Sequence, residues 1–306
     1  MKIIFATSNK HKVEEASAIL KEYNIRIEHL NIRYNEARAE IVEEVVKESV
    51  SKLSNDLNLE LIIEDTGIFF KAYNNFPGPY PKMVFEKLGY DGIFNLLKDK
   101  NKEAYFKTIV GYCKPGKEPL LFEGVFEGII ANEVFDTDKN VMPYERIFIP
   151  NGYSVSLSNI TREEKNKISH RAKAFRKFGE YYTSKADFND LNEVIYRLRR
   201  ECPWDKEQTI GTLKEYLERE IREVKEAINT ADYENLKEEL GDLLVNILFI
   251  SIIAEELCKF NISDVLGTSY AKMIRRHPHV FGELKLSTTE EAIIQWDKIK
   301  KEEKGG

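Results

Sequence analysis

The feature that most constrains this chain is a change of hydrophobic period partway along it. Up to about Phe178, short apolar runs alternate with helical patterns; from about Asn189 onward the strand pattern stops. Lys2 to Ala6 reads as a buried strand, and a polar turn and a helix over about 12–22 follow it. Leu61-Ile62-Ile63 reads as a second buried strand, ending at Glu64-Asp65-Thr66-Gly67, and Phe76-Pro77-Gly78-Pro79 as a turn with Pro79 placed to start a helix. Further strands are predicted over 105–112, 120–130 and 146–149. In the second part, Leu236, Leu240, Leu243, Ile247 and Ile250 recur at four- and three-residue steps, the spacing of a packed helix stripe, and helices are predicted over 213–228 and 262–275. The expected fold class is therefore an α/β N-terminal domain plus an all-α helical bundle. The 306 residues suffice for two cores. We divide them as 1–182 and 191–306, with 183–190 as a small polar linker.

Composition narrows the function classes. A net charge of −6 disfavours a general nucleic-acid binder, whose affinity rests on a basic surface, but leaves room for a few Lys and Arg in a phosphate-binding cleft. Three cysteines without metal-type spacing suit buried thiols in a reducing compartment. No run reaches the apolar length of a membrane span, and the first apolar run is too short for a signal peptide. A cytoplasmic protein, without nucleic-acid or membrane partners, is the expectation.

Two constellations carry chemistry. In the N-terminal part, Thr7, Ser8 and Asn9 follow the first strand and precede a helix N-terminus, where free amides favour anions, and Lys12 adds positive charge one turn on. Glu64 and Asp65 at a second strand end would place carboxylates in the same crevice, the arrangement magnesium needs beside a polyphosphate. Spacing alone leaves open that Asn9 merely caps a helix and Asp65 merely starts a turn. In the C-terminal part, Glu220 and Glu223 lie three apart on one helix, and Glu239 and Asp242 three apart on the next, so each pair shares a helix face. Four carboxylates converging would repel one another unless a divalent cation sat among them, and an all-oxygen set favours magnesium or manganese. Here too the spacing alone permits an ordinary charged helix surface.

Both constellations resemble known families. Thr7-x-Asn9-x-x-Lys12, Glu64-Asp65-Thr66-Gly67, Phe76-Pro77-Gly78-Pro79-Tyr80-x-Lys82, Glu164-Lys165-Asn166 and Ser169-His170-Arg171 resemble the motifs of the inosine triphosphate pyrophosphatase family, which clears ITP, dITP and XTP. The resemblance implies that Asp65, with Glu64, serves catalysis and that Asp65 and Glu36 bind metal. It also implies that Thr7, Asn9, Lys12, Lys82, Lys165, His170 and Arg171 hold base and phosphates. Where that family has aromatic-Gly-Trp/Tyr-Asp, this chain has Met142-Pro143-Tyr144-Glu145, so Tyr144 is the residue left to stack on a purine. Cys202-Pro203-Trp204-Asp205, Glu239-Leu240-Gly241-Asp242 and Arg275-Arg276-His277-Pro278-His279-Val280-Phe281 are similar to the MazG family of helical, dimeric, magnesium-dependent nucleoside triphosphate pyrophosphohydrolases. That resemblance implies a catalytic metal site of Glu220, Glu223, Glu239 and Asp242, and nucleotide contacts from Trp204, Asp205, Arg275 and Arg276. One departure stands out: Arg219 occupies the place of that family's first glutamate. The expected activity is Mg2+-dependent (with Mn2+ as substitute) hydrolysis of nucleoside triphosphates to monophosphate and diphosphate by a homodimer. Two alternatives are a nucleotide-binding regulator with a degenerate site and a helical half serving chiefly as dimerisation scaffold.

Overall fold

The computed structural model describes residues 1–34, 39–139 and 141–303. It forms two compact units, Met1–Ala186 and Asp187–Gly306. The first contains β1 (Lys2–Ala6), α1 (Lys10–Leu20), β2 (Arg26–Leu30), α2 (Val42–Leu57), β3 (Leu61–Phe70), β4 (Phe76–Gly78), α3 (Pro81–Leu96), β5 (Glu103–Cys113), β6 (Leu120–Ile130), β7 (Phe148–Pro150), α4 (Arg162–Ile168) and α5 (His170–Thr183). The sheet runs β2-β1-β3-β5-β6-β7, with β4 on β3. β2, β1 and β3 are parallel, and the remaining pairings are antiparallel. The parallel part needs crossover helices; α1 and α5 cover one face through Phe5, Phe175 and Phe178, and α2 the other through Val46, Val50 and Ile63.

Two local expectations change here. β3 does not end at Glu64–Gly67 but continues to Phe70, because β5 pairs with it from Leu61↔Cys113 to Phe70↔Ala104. Glu64 and Asp65 are therefore mid-strand in β3, although they lie just past the end of its parallel neighbour β1, whose Phe5 pairs with Ile62. Phe76–Gly78 is a short strand on β3 rather than a bare turn, and α3 starts at Pro81, not Pro79.

The second unit is all-helical among its described residues: α6 (Phe188–Glu201), α7 (Pro203–Glu207), α8 (Ile210–Thr230), α9 (Tyr233–Glu256), α10 (Ile262–Arg276), α11 (Pro278–Phe281) and α12 (Thr289–Glu302). Capping boxes start α6 at Asp187 and α8 at Thr209. The two-residue joint after α8, with Ala231 in the left-handed region, folds α9 back against it. The apolar stripe on α9 behaves differently from expectation. Leu248, Phe249, Ile252 and Ile253 form the core, whereas Leu240 and Ile247 are exposed. No helix among the described residues is long and apolar enough to cross a membrane.

Candidate functional site

Asn9 does cap α1: its Oδ1 accepts the backbone N–H of His11 and of Lys12, and Thr7 Oγ1 accepts the N–H of Asn9. That turn aims Lys12 across the sheet. Its Nζ lies 2.8 Å from Glu64 Oε2, donates to the Glu64 carbonyl at 3.0 Å, and is 3.9 Å from Asp65. Arg171, on the first turn of α5, reaches Glu64 at 3.4 Å and Glu15 at 2.5 Å. Glu64 is only 2% exposed. Burial opposes its ionisation, but the charges of Arg171 and Lys12 prevail, aided by hydrogen bonds from Lys12 and Thr66, and hold its pKa at about 2.

The antiparallel register places Thr66, Thr108 and Gly124 side by side across β3, β5 and β6. Glu64 is two residues from Thr66 and so shares its face of the pleat. Thr66 Oγ1 donates to Glu64 Oε1 at 2.5 Å, Thr66 and Thr108 hydroxyls meet at 2.5 Å, and Thr108 Oγ1 lies 2.6 Å from His170 Nδ1. Gly124 makes this possible, since a Cβ there would sit 1.9 Å from the His170 carbonyl oxygen. The His170 ring also stacks on Phe106, with centroids 4.8 Å apart. Burial, reinforced by the positive charge of Arg171, holds the imidazole pKa well below its ordinary value, so the ring is neutral at neutral pH.

A cleft of about 750 Å³ opens beside this row, lined by Lys12, Asp65, Lys82, Tyr144, His170 and Arg171 among others. An adjoining hollow of about 490 Å³ shares Lys12 and Arg171 and adds Asn9 and Lys165, the last paired to Glu145 at 2.5 Å. Thr7 and Glu64 line neither hollow: Glu64 lies buried beneath Lys12 and Arg171. Lys82 extends into solvent with its side chain 87% exposed, 3.8 Å from Glu86. Tyr144 is buried edge-on against Phe85, and its hydroxyl has no hydrogen-bond partner among the described residues. Glu36 lies outside the described residues.

In the helical unit, carboxylate oxygens of Glu220, Glu223 and Glu239 lie within 4.8 Å of one another. Asp242 joins Glu220, Trp204 and Asp205 around a hollow of about 260 Å³. The Glu239 pKa is raised, by desolvation and then by the charges of Glu223, Glu220 and Asp242. This mutual repulsion among oxygen donors fits a divalent cation. Arg219 lies among them, 2.7 Å from Glu220 and 3.8 Å from Glu223, over the ring of Tyr216. Arg275 and Arg276 do not line the hollow; both are held at 2.6 Å by Glu303.

Sequence reasoning missed several residues. Thr66 and Thr108 build the hydrogen-bonded row, and the available signal was Thr108 as a polar residue inside the apolar run of β5. Glu15, the partner of Arg171, carried no local signal. Arg199 donates to the carbonyls of Asp205, Lys206 and Gln208 and pairs with Glu256, which fixes the turn carrying Trp204.

Both units have relatives among known proteins. The Ham1 family matches residues 3–181, and the MazG nucleotide pyrophosphohydrolase domain matches residues 208–281. A dITP/XTP pyrophosphatase of Methanopyrus kandleri is 40% identical over 183 residues, covering 60% of this chain and 96% of that protein. A HAM1 protein structure from Coxiella burnetii, 22% identical, covers 60% of this chain and 99% of its own at a TM-score of 0.53, a likeness of fold. A mazG-related protein from Thermotoga maritima is 37% identical over 37% of this chain and 98% of its own, with a TM-score of 0.34.

Proposed function

This chain belongs to the Ham1 family through residues 3–181 and carries a MazG nucleotide pyrophosphohydrolase domain at residues 208–281, and on that premise we propose that it hydrolyses nucleoside triphosphates to monophosphate and diphosphate. The substrates of the N-terminal unit are non-standard purine nucleotides such as dITP, ITP and XTP, in keeping with the names of relatives at 40% identity. The observation that carries this reading is the convergence of Lys12, Asp65, Lys82 and Arg171 on one cleft that also holds Tyr144 and His170.

Phosphoryl chemistry of this kind is mostly positioning and charge neutralisation. Lys12, Lys82, Lys165 and Arg171 bind the phosphates. Glu64 stays beneath them as the fixed counter-charge that orients Lys12 and Arg171, while Asp65 faces the cleft to hold or deprotonate water. Asn9 and Thr7 shape the turn that presents α1, and Tyr144 and His170 face the base. Magnesium, with manganese as substitute, supplies neutralisation of the polyphosphate and a more acidic water when bound. Asp65 and Glu36 would hold it in the first unit, and Glu220, Glu223, Glu239 and Asp242 in the second. Trp204 and Asp205 offer nucleotide contacts beside that second set; Arg275 and Arg276 would have to leave Glu303 to join them. The functional division is 1–182 and 191–306 with 183–190 between, in a cytoplasmic homodimer. Exposed Leu240 and Ile247 on α9 support pairing through the helical unit.

The test is diphosphate release from a panel of ITP, dITP, XTP and the standard dNTPs by the full chain, Asp65→Asn, Asp242→Asn and the double variant. Loss of turnover of dITP and XTP in Asp65→Asn alone supports the N-terminal assignment. A wild type that binds nucleotide yet releases no diphosphate with Mg2+ or Mn2+ overturns the enzyme reading. One observation favours a second reading for the helical unit: Arg219 already neutralises part of the carboxylate set. A helical unit that scaffolds more than it catalyses predicts that Asp242→Asn leaves every rate unchanged.

A further inference from the structure

The row of hydroxyls behind the N-terminal cleft fixes where the proton sits on His170. Glu64 is paired with Lys12 and Arg171 and accepts the Thr66 hydroxyl proton. Each threonine has one hydroxyl proton to give. With its own proton committed to Glu64, Thr66 can meet Thr108 only as an acceptor, so Thr108 donates to it at 2.5 Å. Among the described residues Glu64 Oε1 also lies 3.5 Å from Thr108 Oγ1, and donating there would likewise turn the Thr108 proton away from the histidine. Thr108 can therefore meet His170 Nδ1, 2.6 Å away, only as acceptor, which puts the ring proton on Nδ1. A neutral imidazole carries one N–H. Its Nε2 is then a bare lone pair, on a residue that lines the cleft and whose ring is clamped against Phe106.

From this geometry we propose that the Thr66–Thr108 pair acts as a positioning relay that presents His170 Nε2 to the cleft as a hydrogen-bond acceptor, selecting purines that carry an N1–H. The proposal rests on the reading of this cleft as a purine nucleotide site and deepens it. Hypoxanthine, xanthine and guanine present N1–H beside a 6-oxo group; adenine presents a bare N1 beside a 6-amino group. An Nε2 lone pair accepts from the first set and opposes the lone pair of adenine N1. The relay thus sorts purines at N1 and leaves positions 2 and 6 to other contacts. A fixed tautomer matters because a histidine free to exchange its ring proton would greet either base, and discrimination by hydrogen-bond mismatch would be lost.

The test uses the full chain and three proteins: wild type, Thr108→Val, which keeps shape but removes the acceptor, and Thr108→Ser, which restores it. Nitrogen-15 NMR of the labelled histidines reads the tautomer of His170 directly, assigned with His170→Gln. Diphosphate release gives kcat/KM for ITP, GTP and ATP. The wild type is expected to show a protonated Nδ1 and an unprotonated Nε2. Thr108→Val is expected to show mixed tautomers and an ITP-to-ATP preference reduced by about tenfold, the scale of one buried hydrogen bond. The ITP-to-GTP ratio should stay unchanged, and Thr108→Ser should restore both the tautomer and the preference. A merely structural role for Thr108 would lower all three rates together without moving the tautomer. A wild-type ring protonated at Nε2, or a Thr108→Val variant that keeps both tautomer and preference, overturns the proposal. These outcomes leave the pyrophosphatase reading standing if ITP is still cleaved. If instead no nucleotide is cleaved, that reading falls, and the ring nitrogen shifts on adding ITP against ATP decide the relay: a change in Nε2 with ITP alone supports it, and equal or absent changes sink it.

Discussion

The two units solve the problem of clustered carboxylates in opposite ways. In the α/β unit, Glu64 is buried yet ionised, because Lys12 and Arg171 reach it from α1 and α5 and Thr66 donates to it. Its charge is balanced before any ligand arrives. In the helical unit, Glu220, Glu223 and Glu239 crowd together with Arg219 as the basic side chain paired with two of them, and Glu239 is pushed toward its neutral form. In one unit the buried carboxylate is balanced by the protein's own cations, while in the other three carboxylates face one another with Arg219 as their basic partner. An acidic cluster is thus a sign of metal demand only where nearby Lys or Arg leave its charge uncompensated.

The largest expected effect separates the units by chemistry. Asp65→Asn should lower kcat/KM for dITP by roughly 10²–10³-fold, the range for removing one group that stabilises charge at a reacting centre, while Asp242→Asn should leave dITP turnover within a factor of about three. Comparable losses from both would show one shared activity and break the contrast. Next comes packing. Gly124→Ala forces a Cβ into the backbone of α5 and should destabilise the α/β unit by about 1–3 kcal/mol or more, read as an earlier urea transition for that unit alone. A smaller effect concerns Arg219. Arg219→Gln removes the internal counter-charge and should tighten Mn2+ binding by about tenfold in titrations followed by electron paramagnetic resonance. Unchanged binding would show that Arg219 does not compete with the metal. The smallest effect is in the pH dependence of stability. Glu64 has a depressed pKa, so its stabilising contribution is full above the ordinary value near 4.5 and is lost as pH falls toward about 2. Glu239 has a raised pKa, so it costs stability above that value, and the cost is relieved as pH falls through it. Mild acid should therefore spare the α/β unit and slightly favour the helical one, and Glu64→Gln should flatten the acid limb of the first.

Much was legible without the structure wherever the cause was local. Asn9 caps α1 because its side chain reaches amides two and three residues on, and the helical period identifies α8 and α10 within a few residues. Other features depended on partners far along the chain. The sequence near Glu64 reads as a strand end because it turns polar, yet the strand continues because β5 offers ladder partners as far as Phe70. The stripe through Leu240 and Ile247 has the period of a packed face, but α6, α8 and α10 cover a different side of α9.

The residues themselves determined the two-part architecture, the cap at Asn9 and the carboxylate spacings, since periodicity and capping act over a few positions. The tertiary structure decided which of those carboxylates meet a cation, that Thr108 stands between Thr66 and His170, and that Gly124 leaves room for the backbone beside it. Those outcomes turn on distances between residues tens to more than a hundred positions apart, and electrostatics and hydrogen bonding respond to distance in space and not to separation along the chain.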